Sequence, residues 1–409
     1  MDEKLKIKLL EKAFDEGEGI LRLAPTWVPR SFLSPGGRLK LDPRDLYALG
    51  AERGGICERW LASTTNADNG PGTPPDEGLS YIVIQDKTSV KKVLLKEAVE
   101  LMGDKLLGKD VMDRYGGWMV LCKFFDNKGP IPHHMHHSDE HAARVGRLGK
   151  PEAYYFPPQL NFIQGSFPYT FFGLNPGTTR EDIIACLKRW NEGDNGILYH
   201  SRAYKLKPGT GWNVPPGILH APGTLVTYEP QRASDVFAMF QSMVEGRPIP
   251  WELLVKDVPE EYHHDLDYIV EMLDWEANLD PEFAKNHYVE PKPVKPVEEM
   301  KDMGYSEKWI AYHSSYFSAK ELTVFPKKTV TIKDSVAYGL IVVQGRGKIG
   351  KFEVESPTLI RFGELTNDEF FVTKEAAKEI KITNLSDKEN LVMLKHFGPG
   401  NPDLPPINN

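Results

Sequence analysis

The sequence predicts a mainly β protein built from two similar antiparallel domains. From about residue 80 the chain consists of short apolar runs separated by Gly and Pro, such as YIVIQ, YTFFGL and TLVTYEP. Runs of this length and spacing are typical of an antiparallel sandwich or barrel. The same pattern resumes after about residue 306 with LTVFPKKTVTI and AYGLIVVQGRGKIG. A second β domain of the same kind is therefore the simplest account.

Helical patterns precede and interrupt the strands. Apolar residues follow helical spacing from Leu5 to Ala13 and stop at Gly17, which predicts an amphipathic helix and not an apolar signal segment. Further helical patterns lie at residues 89–114 and 178–193. The second of these begins with a threonine cap and an acidic first turn, which is how a helix usually starts. We therefore expect a few helices inserted between the strands.

The chain divides into four predicted segments. Its 409 residues suit two domains, because single cores stop growing near about 250–300 residues. After Phe240 the sequence becomes acidic with helical spacing, and it then passes into the alternating prolines of EPKPVKP, which indicates an extended linker. The segments are a helical extension (1–35), a first β domain (36–245), a helical bridge with a Pro-rich linker (246–305) and a second β domain (306–409).

Composition excludes several classes of protein. A net charge of -8 and no Lys/Arg-rich run argue against nucleic-acid binding. No stretch of about 18 apolar residues occurs, so no membrane span is expected. The three cysteines are far apart and form no CxxC pair, which predicts neither a disulfide framework nor a zinc–thiolate site. A reducing cytoplasm is the expected location.

A histidine cluster, HHMHHSDEH, occupies residues 133–141. Histidine and carboxylate side chains are the preferred ligands of Zn, Fe, Mn and Ni. Within the cluster, His134 and His136 are two residues apart, so on a strand both side chains point to the same face. A solvated histidine-rich turn would have the same composition. The spacing nevertheless predicts that these two histidines begin a metal site.

Three residues are candidates to complete the metal site: Glu140, Glu152 and His220. The spacing HxHxxxE that starts at His134 is the first half of a cupin signature, and PPGILHAPG around His220 is similar to the second half. In that second segment, Pro and Gly predict a tight turn that places His220 at the start of a strand. In a cupin barrel, such strands face one another, so ligands distant in sequence converge.

Several motifs, in order, resemble one cupin family, the type I phosphomannose isomerases, over about residues 40–245. These motifs are GICERWLAS, LLGKDVMDRYGGWMVLCKFFDNKGPIPHHMH, LGKPEAYYF, NVPPGILHAPG and TYEPQRASD. The resemblance implies that each β domain is an RmlC-like jelly roll, and that the first carries the metal. It also implies one divalent metal, with zinc first and Fe, Mn, Co or Ni as alternatives.

The resemblance implies a specific ligand set. Carried over by position, the ligands are His134, where the family has Gln, with His136, Glu152 and His220. Glu140 is then an exposed neighbour. The other histidines of the cluster are expected on the surface or behind the ligands. The second domain has only His313 and His396 and no HxH, so no metal is expected there.

The same resemblance implies an aldose–ketose isomerase, which needs a base and a group that polarises the sugar oxygens. Lys150 lies two residues before Glu152 on the same strand face and matches the family lysine proposed for proton transfer; Lys123 matches a second lysine near the site. The family's arginine falls on Met239 in this chain, and Arg232 is the candidate substitute if a bend turns it inward.

We therefore expect an enzyme that isomerises a sugar or sugar phosphate through an enediol(ate). Its partner is a small carbohydrate, and a homodimer is a further expectation. Two other functions are left open by the histidine at position 134 and the methionine at position 239. They are a metal-dependent cupin oxygenase and a sugar-binding cupin that has lost catalysis.

Overall fold

A computed structural model describes residues 1–85, 89–163 and 167–406. The last three residues of the predicted second domain thus lie outside the described part. The helices are α1 (Glu3–Glu16), α2 (Leu95–Leu107), α3 (Lys109–Tyr115), α4 (Asp139–Ala143), α5 (Arg180–Lys188), α6 (Glu252–Val255), α7 (Leu266–Glu271), α8 (Trp275–Leu279), α9 (Phe283–His287), α10 (Val297–Met303) and α11 (Lys374–Ala377).

The strands outnumber the helices, as the sequence predicted. In chain order they are β1 (Ile20–Arg22), β2 (Thr26–Arg30), β3 (Gly55–Leu61), β4 (Tyr81–Gln85), β5 (Val90–Leu94), β6 (Val120–Phe125), β7 (His134–Met135), β8 (Glu152–Tyr155), β9 (Tyr169–Leu174), β10 (Ser201–Lys205), β11 (Gly211–Val214), β12 (His220–Ala221), β13 (Thr227–Arg232), β14 (Ala238–Met239), β15 (Met243–Val244), β16 (Arg247–Pro248), β17 (Tyr288–Val289), β18 (Lys292–Pro293), β19 (Tyr305–Ala311), β20 (Ser318–Val324), β21 (Thr329–Ile332), β22 (Tyr338–Gln344), β23 (Arg346–Ile349), β24 (Phe352–Glu355), β25 (Glu369–Val372), β26 (Ile380–Asn384) and β27 (Leu391–Phe397).

The first β domain is a sandwich of two antiparallel sheets. One has the strand order β17-β11-β8-β13-β6-β3-β2 and the other β10-β9-β12-β7-β14. In the larger sheet, Glu229 lies opposite Lys123 and Gln231 opposite Glu152. Because side chains alternate along a strand, this register points charged groups from neighbouring strands into the sandwich. The interior of the first domain therefore contains a layer of charged and polar side chains across these neighbouring strands.

The second β domain repeats the arrangement with an apolar interior. Its sheets have the orders β1-β25-β22-β27-β20-β19-β18 and β21-β26-β23-β24. Leu322, Val342, Phe370 and Met393 are among the buried side chains of its core. The predicted mainly β fold with two jelly-roll domains is confirmed.

The two seven-stranded sheets pack against each other. One apolar cluster contains Cys122 and Phe124 from the first domain together with Ile341 and Leu394 from the second. Arg59 crosses the junction, and two of its nitrogens each donate at 2.8 Å to the carboxylate of Asp368. The outward faces of the two large sheets are thus buried, which leaves their inward faces to form the two domain interiors.

Three predictions of local structure need correction. Residues 20–30 lie in the predicted helical extension, but they form β1, which pairs with β25 of the second domain, and β2, which pairs with β3. Residues 90–94 form a hairpin with β4 and are not helical. Long-range pairing overrides the local pattern in the first case, and pairing within a hairpin overrides it in the second. The linker also carries β17 and β18 and then α10, and its prolines are tolerated because β18 is an edge strand.

The boundaries between the four predicted segments stay predictions. The helix predicted at 178–193 is present as α5, with the expected capping box at Thr179. The N-terminal helix α1 ends at Glu16, with Gly17 as its cap. Among the described residues, no helix has both the length and the apolar character needed to cross a lipid bilayer.

Candidate metal centre

Three strands bring the predicted ligands together in the first domain. His220 on β12 lies opposite His134 on β7, and His136 comes directly after β7, two residues beyond His134. Glu152 begins β8, in the facing sheet. All four side chains are buried, with residue exposures of 1–5%. The sandwich therefore closes around one group of three imidazoles and a carboxylate.

Backbone carbonyls orient all three imidazole rings. The Nδ1 atoms of His134, His136 and His220 lie 2.8, 2.7 and 2.8 Å from the carbonyl oxygens of Pro132, Val236 and Ile218, respectively. A carbonyl oxygen can only accept, so each Nδ1 must carry the proton and donate it. Each Nε2 is then left with a lone pair. This is the tautomer that a metal-binding histidine needs.

The three histidines bring their ligand atoms close together. Ligand atoms of the three histidines lie within 4.8 Å of one another. Glu152 joins them, with Oε2 at 3.0 Å from Nε2 of His136 and Oε1 at 3.1 Å from Nε2 of His220. The hydroxyl of Tyr154 donates to Oε1 of Glu152 at 2.7 Å. The carboxylate is thus fixed in orientation from outside the group.

Protonation does not remove the negative charge of Glu152 within this group of side chains at neutral pH. Burial, and then the charge of Lys150, lower the pKa of His136 to about 4 despite the attraction of Glu152. Burial, and then His220, hold the pKa of His134 well below its usual range. Burial alone would raise the pKa of Glu152, but His136 and His220 outweigh it and hold the pKa well below its ordinary value. At neutral pH the carboxylate of Glu152 is therefore charged, and the imidazoles of His134 and His136 are neutral.

An Nε2 lone pair and a carboxylate oxygen 3.0–3.1 Å apart repel each other unless a proton or a metal ion lies between them. Oε2 of Glu152 and Nε2 of His220 are in fact buried without a hydrogen-bond partner. Buried polar atoms without partners are rare and need an explanation. A divalent metal held by His134, His136, Glu152 and His220 explains both atoms, and the residues fit such an ion.

The remaining residues of the histidine cluster lie elsewhere. Glu140 is on α4, with its side chain 75% exposed and paired with Arg144. His133 and His137 are fully buried, so of the two expected positions, on the surface or behind the ligands, the surface position is excluded for them. His133 contacts the hydroxyl of Ser201 at 2.6 Å. Alternation along the chain turns both rings away from the face that carries the ligands.

The two predicted lysines both line the cavity beside the histidines. Lys123 lies 3.3 Å from Oε1 of Glu229 and 3.6 Å from Oε2 of Glu58. Burial alone would lower the pKa of Lys123, but these two carboxylates outweigh it and raise the pKa. Lys150 lies 4.0 Å from Asp235. Burial, and then the charge of Lys123, lower the pKa of Lys150.

Sequence reasoning missed four charged residues of the same cavity: Arg30, Glu58, Glu229 and Asp235. Arg30 donates to Glu58 at 3.0 Å and lies 3.5 Å from Asp235. Burial, and then the charge of Glu152, raise the pKa of Glu229 to about 8. A charged residue inside an otherwise apolar strand was the signal that could have identified them. Such a residue is costly to bury without partners, so it indicates other charged groups nearby.

Arg232, the candidate substitute for the family's arginine, is not brought to the site. Its guanidinium pairs with Asp139 and lies 4.4 Å from the ring centroid of Tyr316 in the second domain. Arg232 follows Gln231 on β13, and the face of Gln231 is the one that points inward. Met239, opposite His134 on β14, does line the cavity. The position where the family has arginine therefore presents a thioether.

The cavity has a volume of about 30 Å³, which is room for one or two water molecules. Its charged side is formed by the histidines, lysines and carboxylates described above. Its other side is apolar and includes Phe32, Leu33, Ile131 and Phe237.

Comparisons with known proteins agree on the fold. The chain is similar to the mannose 6-phosphate isomerase of Bacillus subtilis, with 17% identity, a TM-score of 0.59, and coverage of 93% of this chain and 99% of that one. It is similar to a point mutant of phosphomannose isomerase from Salmonella typhimurium, with 12% identity, a TM-score of 0.59 and coverage of 93% and 100%. A zinc-bound holo mannose 6-phosphate isomerase gives 12% identity, a TM-score of 0.60 and coverage of 93% and 100%.

By sequence, no family model and no curated protein matches the chain. The fold consists of two antiparallel jelly-roll β domains, and the first of them carries the histidine-rich site. More narrowly, the fold is that of the mannose 6-phosphate isomerases over 93% of the chain. The resemblance predicted from the motifs is confirmed at the level of the fold.

Proposed function

We propose that this protein is a metal-dependent aldose–ketose isomerase that acts on a sugar. One observation carries the proposal. Three imidazole Nε2 atoms and a buried carboxylate converge in a cavity that is also lined by Lys150. Such a site places a metal and a base beside the same ligand. The shared fold with mannose 6-phosphate isomerases supports the choice of reaction.

The metal would be held by His134, His136, Glu152 and His220. Three His and one Glu suit zinc, which we place first, and also Fe, Mn, Co or Ni. When bound, such a metal polarises the sugar oxygens as a Lewis acid. The ligand side chains are held in orientation by the carbonyls that accept from the three Nδ1 atoms and by the hydroxyl of Tyr154.

Lys150 is the proposed base. Its lowered pKa increases the fraction of neutral amine near neutral pH. The amine takes the proton from C2 of the aldose, the C–H electron pair forms the C1=C2 bond, and O1 gains a proton. Return of a proton to C1 with loss of the O2 proton gives the ketose. Glu229, with a pKa of about 8, is a proton source for O1, and Lys123 holds it in place.

Isotope exchange tests the proposal directly. The zinc-loaded protein is incubated with a panel of hexoses and hexose 6-phosphates in D₂O, and NMR follows interconversion and deuterium at C1 and C2. We expect isomerisation with solvent deuterium on carbon, and a loss of about 10²–10⁴-fold in rate for Lys150→Met. The matched control is Lys128→Met, since Lys128 is exposed. Metal-loaded protein that neither isomerises nor exchanges any of these sugars would contradict the proposal.

A sugar-binding protein without catalysis is the second candidate. Met239 favours it, because the cavity lacks the arginine that the family resemblance places at that position. The same NMR experiment separates the two, since a binding protein shifts the ligand resonances without exchanging protons on carbon.

We also propose that the protein works in the cytoplasm on a small carbohydrate. Cys57, Cys122 and Cys186 are buried and free, which suits a reducing compartment. The homodimer stays a prediction, and light scattering of the purified protein would test it.

A further inference from the structure

We infer that the substrate is an unphosphorylated sugar. This inference rests on the proposed function, and it concerns the cavity that contains the candidate metal centre. It follows from three features of the described lining: the state of its cations, its total charge and the apolar side that includes Met239.

Every cation of the described lining already faces a carboxylate. Arg30 donates to Glu58 at 3.0 Å and to Asn69 at 2.9 Å. Lys123 lies 3.3 Å from Glu229, and Lys150 lies 4.0 Å from Asp235. Phosphate recognition normally uses Arg, Lys or a helix N-terminus. A phosphate would have to compete with these carboxylates for each cation.

The total charge of the cavity also disfavours a phosphate. The described lining has three cations and four carboxylates, a net formal charge of -1. A divalent metal changes this to +1, which one negative charge on an enediolate would neutralise. A phosphate dianion held by the same lining, together with the enediolate, would bring the net charge to -2 in a buried site, where uncompensated charge is costly. A proton that moves from Lys150 to Glu229 makes both side chains neutral, so the net charge of the cavity is unchanged.

The remaining lining offers contacts to carbon, not to phosphate oxygens. It consists of Tyr154, whose hydroxyl already donates to Glu152 at 2.7 Å, and of the apolar residues Phe32, Leu33, Phe125, Ile131, Pro222, Phe237 and Met239. Met239 is the position at which a cation would stand beside the ligands, because it pairs with His134 across β14 and β7. Its thioether offers no charge to an anion. The C4–C6 end of a sugar that reacts at the metal would therefore meet apolar groups.

Binding tests the inference without catalysis. Sorbitol and sorbitol 6-phosphate have no carbonyl group and cannot be isomerised. Calorimetry on the zinc-loaded protein compares their Kd values. We expect the phosphorylated polyol to bind no more tightly than sorbitol. A Kd at least tenfold lower for sorbitol 6-phosphate would overturn the inference.

Kinetics supply the second test. We expect kcat/KM for a free hexose to exceed that for the same hexose 6-phosphate by at least tenfold. Met239→Arg should shift this ratio at least tenfold towards the phosphorylated sugar, whereas the control Met239→Leu should leave it within about threefold. A wild-type preference for the phosphorylated sugar overturns this inference alone. Absence of isomerisation for both sugars overturns the proposed function, while the polyol comparison still decides the preference of the site.

Discussion

Replacing Glu152 by Gln should change stability with opposite signs in the metal-free and metal-loaded protein. Without metal, the wild-type carboxylate faces imidazole nitrogens at 3.0 and 3.1 Å. In Glu152→Gln the amide oxygen still accepts from Tyr154, and the amide NH₂ donates to Nε2 of His136. Satisfying a buried polar group stabilises by about 1–3 kcal/mol. The metal-free variant should therefore be more stable than the metal-free wild type by that amount.

With metal, the order changes because the variant has lost an anionic ligand. A free metal concentration of about 100 times the wild-type Kd stabilises the wild type by roughly 2.7 kcal/mol. Loss of an outer partner already costs about 10–100-fold in affinity, so loss of a ligand should cost at least about 100-fold. At the same metal concentration, the variant then gains only about 0.4 kcal/mol. The metal-induced stabilisation should fall from about 2.7 to about 0.4 kcal/mol.

Denaturant unfolding at pH 7.5, with and without zinc, measures both quantities. Glu140→Gln is the matched control, since Glu140 belongs to the same HxHxxxE pattern but is exposed and paired with Arg144. Its metal-induced stabilisation should equal that of the wild type. An equal metal increment in Glu152→Gln, or a metal-free variant less stable than the wild type, would refute the argument.

Three further predictions concern the lysines and the domain junction. Lys150→Met should retain full zinc content by elemental analysis while kcat falls, whereas parallel loss of metal would remove its role as a base. Lys123→Met should destabilise the protein by about 3–5 kcal/mol in denaturant unfolding, because Glu58 and Glu229 would lose a buried partner, and Lys123→Arg should recover most of this loss. His396 is buried at the junction 3.0 Å from the hydroxyl of Tyr228, and burial lowers its pKa to about 3. The unfolded His396 has a pKa near 6.5, so the free energy of unfolding falls as pH drops from about 6.5 towards 3, by up to about 1.4 kcal/mol per pH unit. His396→Gln should reduce the slope of unfolding free energy against pH between pH 4 and 6. An unchanged slope would contradict the assignment.

Much of the candidate site could be predicted because its signals are local. His134 and His136 are two residues apart, and that spacing alone places both on one face of a strand. The turn before His220 fixed the start of β12 in the same way. The choice of Glu152 over Glu140, in contrast, needed the family resemblance, since both carboxylates follow the HxH.

The missed features depend on long-range pairing. Arg30 reaches the cavity only because β2 pairs with β3, and the sequence before Arg30 carries no local sign of that partner. The same holds for β1, whose partner β25 is about 350 residues away in the second domain. The candidate Arg232 fails for the opposite reason, because a local signal was available: alternation along β13 turns Arg232 away from the face of Gln231.

Anomalous diffraction from zinc-loaded crystals tests the central claim most directly. We predict one strong peak in the first domain, at about 2.0–2.1 Å from Nε2 of His134, His136 and His220 and about 2.0–2.2 Å from an oxygen of Glu152. A peak on another group of residues, coordination through Nδ1, or no peak at this site in protein saturated with zinc would contradict the account.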